Sequence, residues 1–413
     1  MRVAYVCADL GVPVFGSKGC SIHVQEIVRS FLKRGDQVDL FVARTGGEPP
    51  KEFSQAAFSQ LASGSCRVHV FEPQPADSVA EREVSAQAVA ERISEAMELE
   101  GRFDLVYERH SLWSSAGPDF GCKHGIPSIL EINAPLIEEQ RKHRDLVDVD
   151  HALATSQAAF ARASSLAVVS DEVAKATVAD FDIDLEKLHV VPNGVDTQRF
   201  SPDVAARLPS DDFTIGFVGS LKPWHGVETL LQAFQRIQRE VPNSRLLIIG
   251  DGPLQRQLQR DYCTGDSNIT SRVHWIGSVA PSEVPGYLNS IDVAVAPYPD
   301  LPDFYFSPLK VYEYMASGLT TVASDIGQLK SIIKHRVDGF LYKPSSVAAL
   351  ASTLSMLAEQ PAVCMEVGRR ARRRAVDEFS WDHVLLQSLE TLGPQYDWNA
   401  ISEMESEGVR CPQ

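Results

Sequence analysis

Short apolar runs alternate with amphipathic segments along most of the chain. Val3–Cys7 is the first of these runs, and a glycine-rich loop follows it. Apolar residues then recur at helical spacing between Val24 and Leu32, which predicts a helix with one buried stripe. Later runs predict further strands at Val38–Val42, Leu105–Tyr107, Ser128–Ile132, Leu166–Val169 and His189–Val191. This alternation indicates a parallel sheet that is covered by helices on both faces.

The same alternation begins again after a polar link at residues 192–212. Phe213–Val218 predicts a buried strand, the loop Gly219–Gly226 follows, and an amphipathic helix begins at Val227. Further strands are predicted at Arg245–Ile249, Val273–Ile276, Val293–Ala296 and Thr320–Ala323. We therefore expect an α/β chain with two doubly wound domains, whose ligands bind beyond the carboxyl ends of the strands. Residues 394–413 are polar, acidic and aperiodic, which predicts a disordered tail.

Charge and cysteine usage narrow the function classes. A net charge of −16 argues against nucleic-acid binding and weakens the case for tight docking on anionic lipid. The basic cluster Arg369–Arg374 is the exception, and it is either a solvated helix face or a weak anchor to a membrane or an acidic partner. The seven cysteines are scattered without a Cys-x-x-Cys pair, which is typical of reduced thiols. No apolar run is long enough to span a membrane, so we expect a cytoplasmic protein.

The segment from Ser307 to Gly318 carries the clearest candidate chemistry. Ser307 as N-cap, Pro308 at the first helical position and Gly318 at C′ predict a short helix. A helix start attracts phosphate, and Lys310 adds a full positive charge there. Glu313 lies on the same face and can accept hydrogen bonds from vicinal hydroxyls. The helix would hold the diphosphate and sugar of a nucleotide, or it is simply a capped surface helix with a Lys–Glu pair.

Four segments, in order, resemble the group 1, or family 4, glycosyltransferases of the GT-B fold. They are Gly16–Gly19, Val191–Asp196, Gly219–Glu228 and Ser307–Gly318, and Ile249–Pro253 is a weaker fifth match. The resemblance covers roughly residues 1–390 and implies two Rossmann-like domains that face a cleft. These would be residues 1–192 and residues 193–379, with a C-terminal crossover helix at about 380–393 that returns to the first domain. It also implies a nucleotide-diphosphate sugar as donor, retention of anomeric configuration and no metal or other cofactor.

The resemblance assigns roles to individual positions. The candidate catalytic residues are Lys222, Lys310 and Asn133. The candidate donor-binding residues are Gly16, Gly19, His225, Gly252, Ser307, Pro308, Leu309 and Glu313. The candidate acceptor-side residues are Lys18, Arg109 and His110. The acceptor would be a hydroxyl group of a glycan, a lipid-linked sugar or a small molecule.

Three positions depart from the family pattern. The first of the usual two glutamates falls on Tyr305, and the second matches Glu313. Ser220 and His225 replace the Arg and Lys that often hold the diphosphate, and Asn133 replaces a His. With no carboxylate nucleophile in view, we expect front-face attack with the leaving phosphate as base. Lys222, Lys310 and the helix start would stabilise the departing diphosphate.

Other functions fit the sequence less well. The run Gly11–Lys18 nearly spells a phosphate-binding P-loop, but Lys and Ser stand in the wrong order. The pairs Asp148/Asp150 and Asp180/Asp182 resemble metal-binding acids and are expected to be solvated. A nucleotide-sugar-binding protein without transferase activity stays open, as does an epimerase or phosphorylase of the same fold. The sequence indicates neither the sugar, the base, the acceptor nor the oligomeric state.

Overall fold

The computed structural model describes residues 1–50, 53, 65–262, 271–302, 304–305 and 307–394. These residues form two compact units. The first unit is Met1–Asn193 together with the C-terminal segment that begins at Trp381, and the second unit is Gly194–Ser380. The tail predicted to be disordered, residues 394–413, lies outside the described residues except for its first position.

The first unit contains a parallel sheet of seven strands in the order β3-β2-β1-β4-β5-β6-β7. The strands are β1 Arg2–Cys7, β2 Gln37–Val42, β3 Ser65–Val70, β4 Leu105–Arg109, β5 Ser128–Ile132, β6 Ser165–Val168 and β7 Leu188–Val190. The helices are α1 Gly19–Lys33, α2 Val79–Glu100, α3 Ala116–His124, α4 Leu136–His143, α5 Val149–Arg162 and α6 Asp171–Asp180. A last helix, α14 Trp381–Glu390, packs against α1 and completes this unit.

The second unit contains a parallel sheet of six strands in the order β10-β9-β8-β11-β12-β13. The strands are β8 Phe213–Val218, β9 Ser244–Ile249, β10 Val273–Gly277, β11 Val293–Ala296, β12 Thr320–Ser324 and β13 Phe340–Tyr342. The helices are α7 Val227–Glu240, α8 Gln255–Tyr262, α9 Val284–Leu288, α10 Leu309–Ala316, α11 Leu329–Ile332, α12 Val347–Glu359 and α13 Pro361–Glu378. Both sheets are entirely parallel within the described residues, as the apolar runs predict.

Amphipathic spacing explains why the helices bury one face. In α7 the buried residues recur at i, i+3, i+4 and i+7, beginning at Val227 and ending at Ile237. In α2 the Ser78 hydroxyl accepts from the Glu81 N–H while the Glu81 carboxylate accepts from the Ser78 N–H. This capping box satisfies two N–H groups that a helix start otherwise leaves unpaired.

Three of the five arginines in the basic cluster of α13 are exposed, as the solvated-face alternative predicts, whereas Arg372 and Arg374 are partly buried and structural. Arg372 lies partly buried and donates to the backbone carbonyls of Thr197, Phe200 and Ala316 at 2.7–2.9 Å. Arg374 pairs with the buried carboxylate of Asp338 at 2.9 Å. Arg372 and Arg374 therefore hold second-unit loops against α13, because a guanidinium can serve several carbonyls at once.

Among the described residues, no single helix is both long and apolar enough to cross a lipid bilayer. The bent pair α12 and α13, which meet at 104°, passes a test of length and composition only when taken together.

Candidate functional site

In the second unit, all candidate residues except Gly252, which follows β9, lie where β8 ends and α10 begins. Gly219 follows β8 with a φ of +144°, a backbone conformation that side chains disfavour. A Cβ at this position would lie 2.5 Å from the Lys310 Nζ atom. The Tyr314 hydroxyl accepts from the Val218 N–H at 2.9 Å, which ties α10 to the end of β8. Glycine at position 219 therefore leaves room for the Lys310 ammonium.

The helix start itself differs from the prediction by one residue. Helix α10 begins at Leu309, and its N-cap is Pro308 rather than Ser307, since the Pro308 backbone is still extended with ψ of 100°. The predictions of Ser307 as N-cap and of Pro308 as first helical residue are therefore wrong. Gly318 has a φ of +74° directly after the C-cap, so its predicted C′ role is confirmed.

Lys310 brings an unpaired charge into this region. Its Nζ atom is buried and has no hydrogen-bond partner among the described residues. The ammonium instead lies 4.2 Å from the centroid of the Phe217 ring and 5.6 Å from that of Tyr298. Burial lowers the pKa of Lys310 to about 7, although the nearby Glu313 carboxylate opposes this shift. Such an ammonium is available to an anionic ligand.

His225 lies close enough to both Lys310 and Lys222 to interact with their charges. The His225 Nδ1–H donates to the Ser220 carbonyl oxygen, which fixes the ring. Burial, followed by Lys310 and then Lys222, lowers the pKa of His225 to about 4, so the ring is neutral at pH 7. Lys222 is exposed, with its Nζ 4.8 Å from the centroid of the Trp224 ring. The structure thus brings together three of the residues that the sequence singled out.

Glu313 lies one turn further along α10. Burial raises its pKa, while Arg199 and Lys310 oppose that change. Gly252, another candidate, packs its backbone on the neighbouring loop, where a Cβ would lie 2.5 Å from the Leu221 nitrogen. Arg199, Phe217 and Tyr298 also belong to this region, although no sequence motif indicates them. Arg199 follows the polar turn after β7, and no local signal connects it with Glu313.

The first unit contains a cavity of about 580 Å³ at the carboxyl ends of its strands. Its walls come from the segments at the ends of β1 to β5 and from α1, α2 and α4. The predicted residues Arg109, His110 and Asn133 all line it. Gly11 of the glycine-rich loop and Cys20 of α1 also line it, whereas Gly16, Lys18 and Gly19 do not. A volume of this size suits a small ligand or a single sugar residue.

Buried charges are balanced beneath this cavity. The Glu131 carboxylate contacts His23 Nε2 on one side and lies 3.9 Å from the Arg109 guanidinium on the other. Burial opposes the charge on Glu131, but His23 and Arg109 hold its pKa below the usual value. Burial likewise opposes the charge on Arg109, yet Glu131 raises the pKa of its guanidinium. His23 also shares a 2.7 Å hydrogen bond with Asn193, so this network reaches the end of the unit.

His110 and Asn133 differ in their chemistry. Burial and the adjacent Arg109 lower the pKa of His110 to about 4, so the imidazole is neutral at pH 7. Its Nε2 lies 3.3 Å from the Ser156 hydroxyl, and its Nδ1 has no partner among the described residues. The Asn133 amide helps to lower the pKa of Glu131 and offers neutral hydrogen-bonding atoms to the cavity. Both side chains can therefore hold hydroxyl groups without adding charge.

Candidate donor residues consequently fall in both units. Gly16 and Gly19 belong to the first unit, as does the exposed Lys18, which is the N-cap of α1. The remaining donor candidates and the two lysines named as catalytic belong to the second unit, whereas Asn133 belongs to the first.

One group of side chains in the described residues has a geometry that could hold a metal ion. It consists of Asp39, His69 and Glu100 in the first unit. Both carboxylates already pair with arginines, since Arg2 and Arg67 each lie within 3.2 Å of Asp39 and Glu100. The arginines supply the positive charge that a cation would supply. Asp150, Asp180 and Asp182 are exposed, as predicted for solvated acids, and Asp148 caps α5.

Family models match most of the chain. Residues 17–199 match the model described as Glycosyltransferase Family 4, and residues 212–360 match Glycosyl transferases group 1. A similar curated protein is the MMP alpha-(1->4)-mannosyltransferase of Mycolicibacterium hassiacum. It is 29% identical over 309 residues, which are 70% of each chain.

Solved structures of similar fold are available for comparison. A sucrose-phosphate synthase from Thermosynechococcus elongatus has a TM-score of 0.70 and 19% identity, covering 98% of this chain and 100% of its own. The Anabaena protein HepE in complex with UDP-glucose has a TM-score of 0.62 and 20% identity, covering 95% and 99% of the two chains. At these identities the likeness establishes a shared fold.

Proposed function

Because the chain belongs to the group 1, family 4 glycosyltransferases, we propose that it transfers a sugar from a nucleotide-diphosphate sugar to a hydroxyl acceptor with retention of anomeric configuration. Its two Rossmann-like parallel sheets are those of the GT-B fold. The observation that carries the proposal is the buried Lys310 ammonium, which has no partner among the described residues and lies in the first turn of α10. A diphosphate is the anion that a helix start and an adjacent ammonium fit best.

The second-unit groups would stabilise charge that develops as the donor breaks down. The bond between the anomeric carbon and the diphosphate oxygen breaks, and its electron pair goes to the leaving diphosphate. Lys310, Lys222 and the N–H groups at the start of α10 would offset this negative charge. His225, neutral at pH 7, contributes hydrogen bonding rather than charge. Glu313 would accept hydrogen bonds from hydroxyl groups of the nucleotide sugar.

Transfer is proposed to occur on the face of the sugar that the diphosphate leaves. Tyr305 occupies the place of a family carboxylate, and no carboxylate nucleophile is proposed. The acceptor hydroxyl would bond to the anomeric carbon and pass its proton to an oxygen of the leaving phosphate. The first-unit cavity, with neutral His110 and Asn133 on its wall, would hold that acceptor. The proposed reaction requires no metal ion, because the cationic side chains take the place of one.

Glu313→Ala tests the donor site. Nucleotide sugars are first screened by thermal shift, since a ligand that binds the native state raises its stability by RT ln(1 + [L]/Kd). We expect the substitution to weaken donor binding by about 1.5–3 kcal/mol, the value of a hydrogen bond to a charged group. Calorimetric titration measures the loss, and Glu359→Ala, an exposed acid at the end of α12, is the matched control.

The outcome separates the proposal from its main alternatives. Unchanged donor affinity in Glu313→Ala would remove α10 from the donor site. Tight donor binding in the wild type, with no transfer to any of a panel of hydroxyl acceptors, would favour a nucleotide-sugar-binding protein. Release of the free sugar epimer or of a sugar phosphate would favour an epimerase or a phosphorylase.

A further inference from the structure

The first-unit cavity is lined by three further arginines, and none of the roles described above involves their charges. Arg44 follows β2, Arg82 belongs to α2 and Arg144 follows α4, so three separate elements bring them to one cavity. All three side chains are exposed. Within the part of the chain that the structure describes, none of them forms an ion pair, in contrast to Arg109, which faces Glu131. A chain with a net charge of −16 has thus placed four arginines around one small cavity.

The carboxylates that line the same cavity accept hydrogen bonds mainly from backbone N–H groups. Both oxygens of the buried Glu83 carboxylate accept backbone N–H groups, from Val147 at 2.9 Å and Asp148 at 2.8 Å. Asp9 accepts the Gly11 N–H at 2.7 Å. Glu139, in the first turn of α4, is partly exposed. These carboxylates do not hold the arginines in contact pairs, and their remaining lone pairs can accept hydrogen bonds from hydroxyl groups.

The depth of the polar groups divides the cavity into two chemical zones. Arg109, His110 and Asn133 stand at the strand ends, where burial keeps His110 neutral and Glu131 balances Arg109. Arg44, Arg82 and Arg144 are exposed and stand further out. Neutral groups suit a reacting hydroxyl, and guanidinium forks suit phosphate or carboxylate, which they can bind with two hydrogen bonds each.

We propose that the acceptor is a small polyhydroxy molecule that carries an anionic group, a phosphate or a carboxylate, and that Arg44, Arg82 and Arg144 bind this group. The inference rests on the proposed transferase function, because it describes the acceptor of that reaction. The cavity volume of about 580 Å³ limits the bound part to roughly one sugar-sized unit. The Trp113 ring, which also lines the cavity, offers a flat apolar surface to such a molecule.

Binding of matched small molecules to the full chain tests the proposal without any transfer reaction. The first series is glucose, glucose 6-phosphate and glucuronate, and the second is glycerol, glycerol 3-phosphate and glycerate. We expect at least one anionic member to bind about tenfold or more tightly than its neutral parent by calorimetry. The preference should weaken as salt rises from about 0.05 M to 0.2 M, because the arginines are exposed. Comparison of the phosphate and carboxylate members shows which anion is bound.

Substitution of the arginines tests whether they cause the preference for anionic molecules. The triple variant Arg44→Gln, Arg82→Gln, Arg144→Gln should lose it, and each single variant should lose part of it. Arg373→Gln removes an exposed arginine of the second unit that has no described ion pair, so it should keep the preference. Donor affinity is measured in every variant and should not change, since the Lys310 region lies in the other unit.

Two results would overturn the inference. One is equal binding of anionic and neutral members in both series. The other is an anion preference that survives in the triple variant, which would place the anion elsewhere. Failure of the transferase proposal would be seen differently, as absent donor binding or absent transfer, while the anion preference stayed measurable.

Discussion

The two units treat buried charge in opposite ways. In the first unit, the buried Glu131 carboxylate lies between His23 and Arg109, so the charges are balanced without a ligand. In the second unit, the buried Lys310 ammonium meets two aromatic rings and no described hydrogen-bond partner. Burial without a bonded anion lowers the pKa of Lys310 to about 7, whereas Glu131 raises the pKa of Arg109. Proximity to a counter-ion, rather than burial alone, decides the direction.

This difference assigns different work to the two strand-end regions. A balanced network holds side chains in place and presents neutral atoms, which suits recognition of hydroxyl groups. An ammonium that lacks a bonded anion is costly in the free protein, and that cost is relieved when an anion binds. We therefore expect removal of a charge from the buried Glu131 network to harm stability, and removal of the Lys310 charge to harm donor binding and turnover.

The largest effect is expected from Glu131→Gln. This substitution leaves the Arg109 guanidinium buried without its anion, and breaking a buried pair in this way costs about 3–5 kcal/mol. The free energy of unfolding, measured by urea denaturation, should fall by that amount. Glu139→Gln in the same unit, which removes a partly exposed carboxylate, should leave it nearly unchanged. A loss below about 1 kcal/mol for Glu131→Gln would mean that the network is not balanced as described.

Lys310→Met should show the opposite pattern. Turnover should fall by about 10²–10³, the usual result of removing one group that stabilises transition-state charge. The free energy of unfolding should stay the same or rise, because a buried ammonium without a bonded counter-ion is removed. Lys330→Met, at an exposed position in α11, is the control for loss of a lysine. A variant that unfolds readily while its residual folded fraction turns over normally would reverse the comparison.

Donor affinity should change with pH more steeply than ionisation of the donor alone would cause. In the free protein Lys310 loses its proton as pH rises through about 7. A bound diphosphate favours the protonated form, so binding takes up a proton above pH 7. Donor affinity should therefore fall by up to about tenfold for each pH unit above that value. Calorimetry in two buffers of different ionisation enthalpy counts the protons, and Lys310→Met should show no uptake from this group.

Chelation should have the smallest effect. If Lys310, Lys222 and the α10 start offset the charge of the diphosphate, transfer should continue unchanged in excess EDTA. Loss of activity in chelator that magnesium or manganese restores would show that a metal ion does this work. The Lys310 region would then not be what offsets the charge of the diphosphate.

Strongly apolar local patterns made much of the fold predictable. The strands at Ser128–Ile132, Phe213–Val218 and Val293–Ala296 were predicted to the residue, because each is an apolar run in the interior of a parallel sheet. Strand β3 was not predicted, since it is a short segment at a sheet edge in which only Cys66 is buried. Strand β13 was also missed, because it is only three residues long and lies at the other sheet's edge.

The residues of the candidate site also differ in whether a local sequence pattern predicts them. Lys310 and Glu313 could be found from the sequence because one short helix carries both, together with its glycine C-terminus. Arg44, Arg82 and Arg144 could not, because three distant segments bring them together and tertiary structure alone makes them neighbours. Only Arg44 had a local signal, since it closely follows the end of a buried strand.

Helix α14 gives the chain an unusual order of assembly during synthesis. Its Asp382 accepts a 2.7 Å hydrogen bond from Ser30 of α1, and its Trp381 ring lies 4.9 Å from that of His23. These contacts belong to the first unit, yet α14 is synthesised only after residues 194–380. Domains generally fold as units while the chain is being made. All residues of the second unit are therefore synthesised while the first unit still lacks α14. Until α14 is added, part of α1 is uncovered.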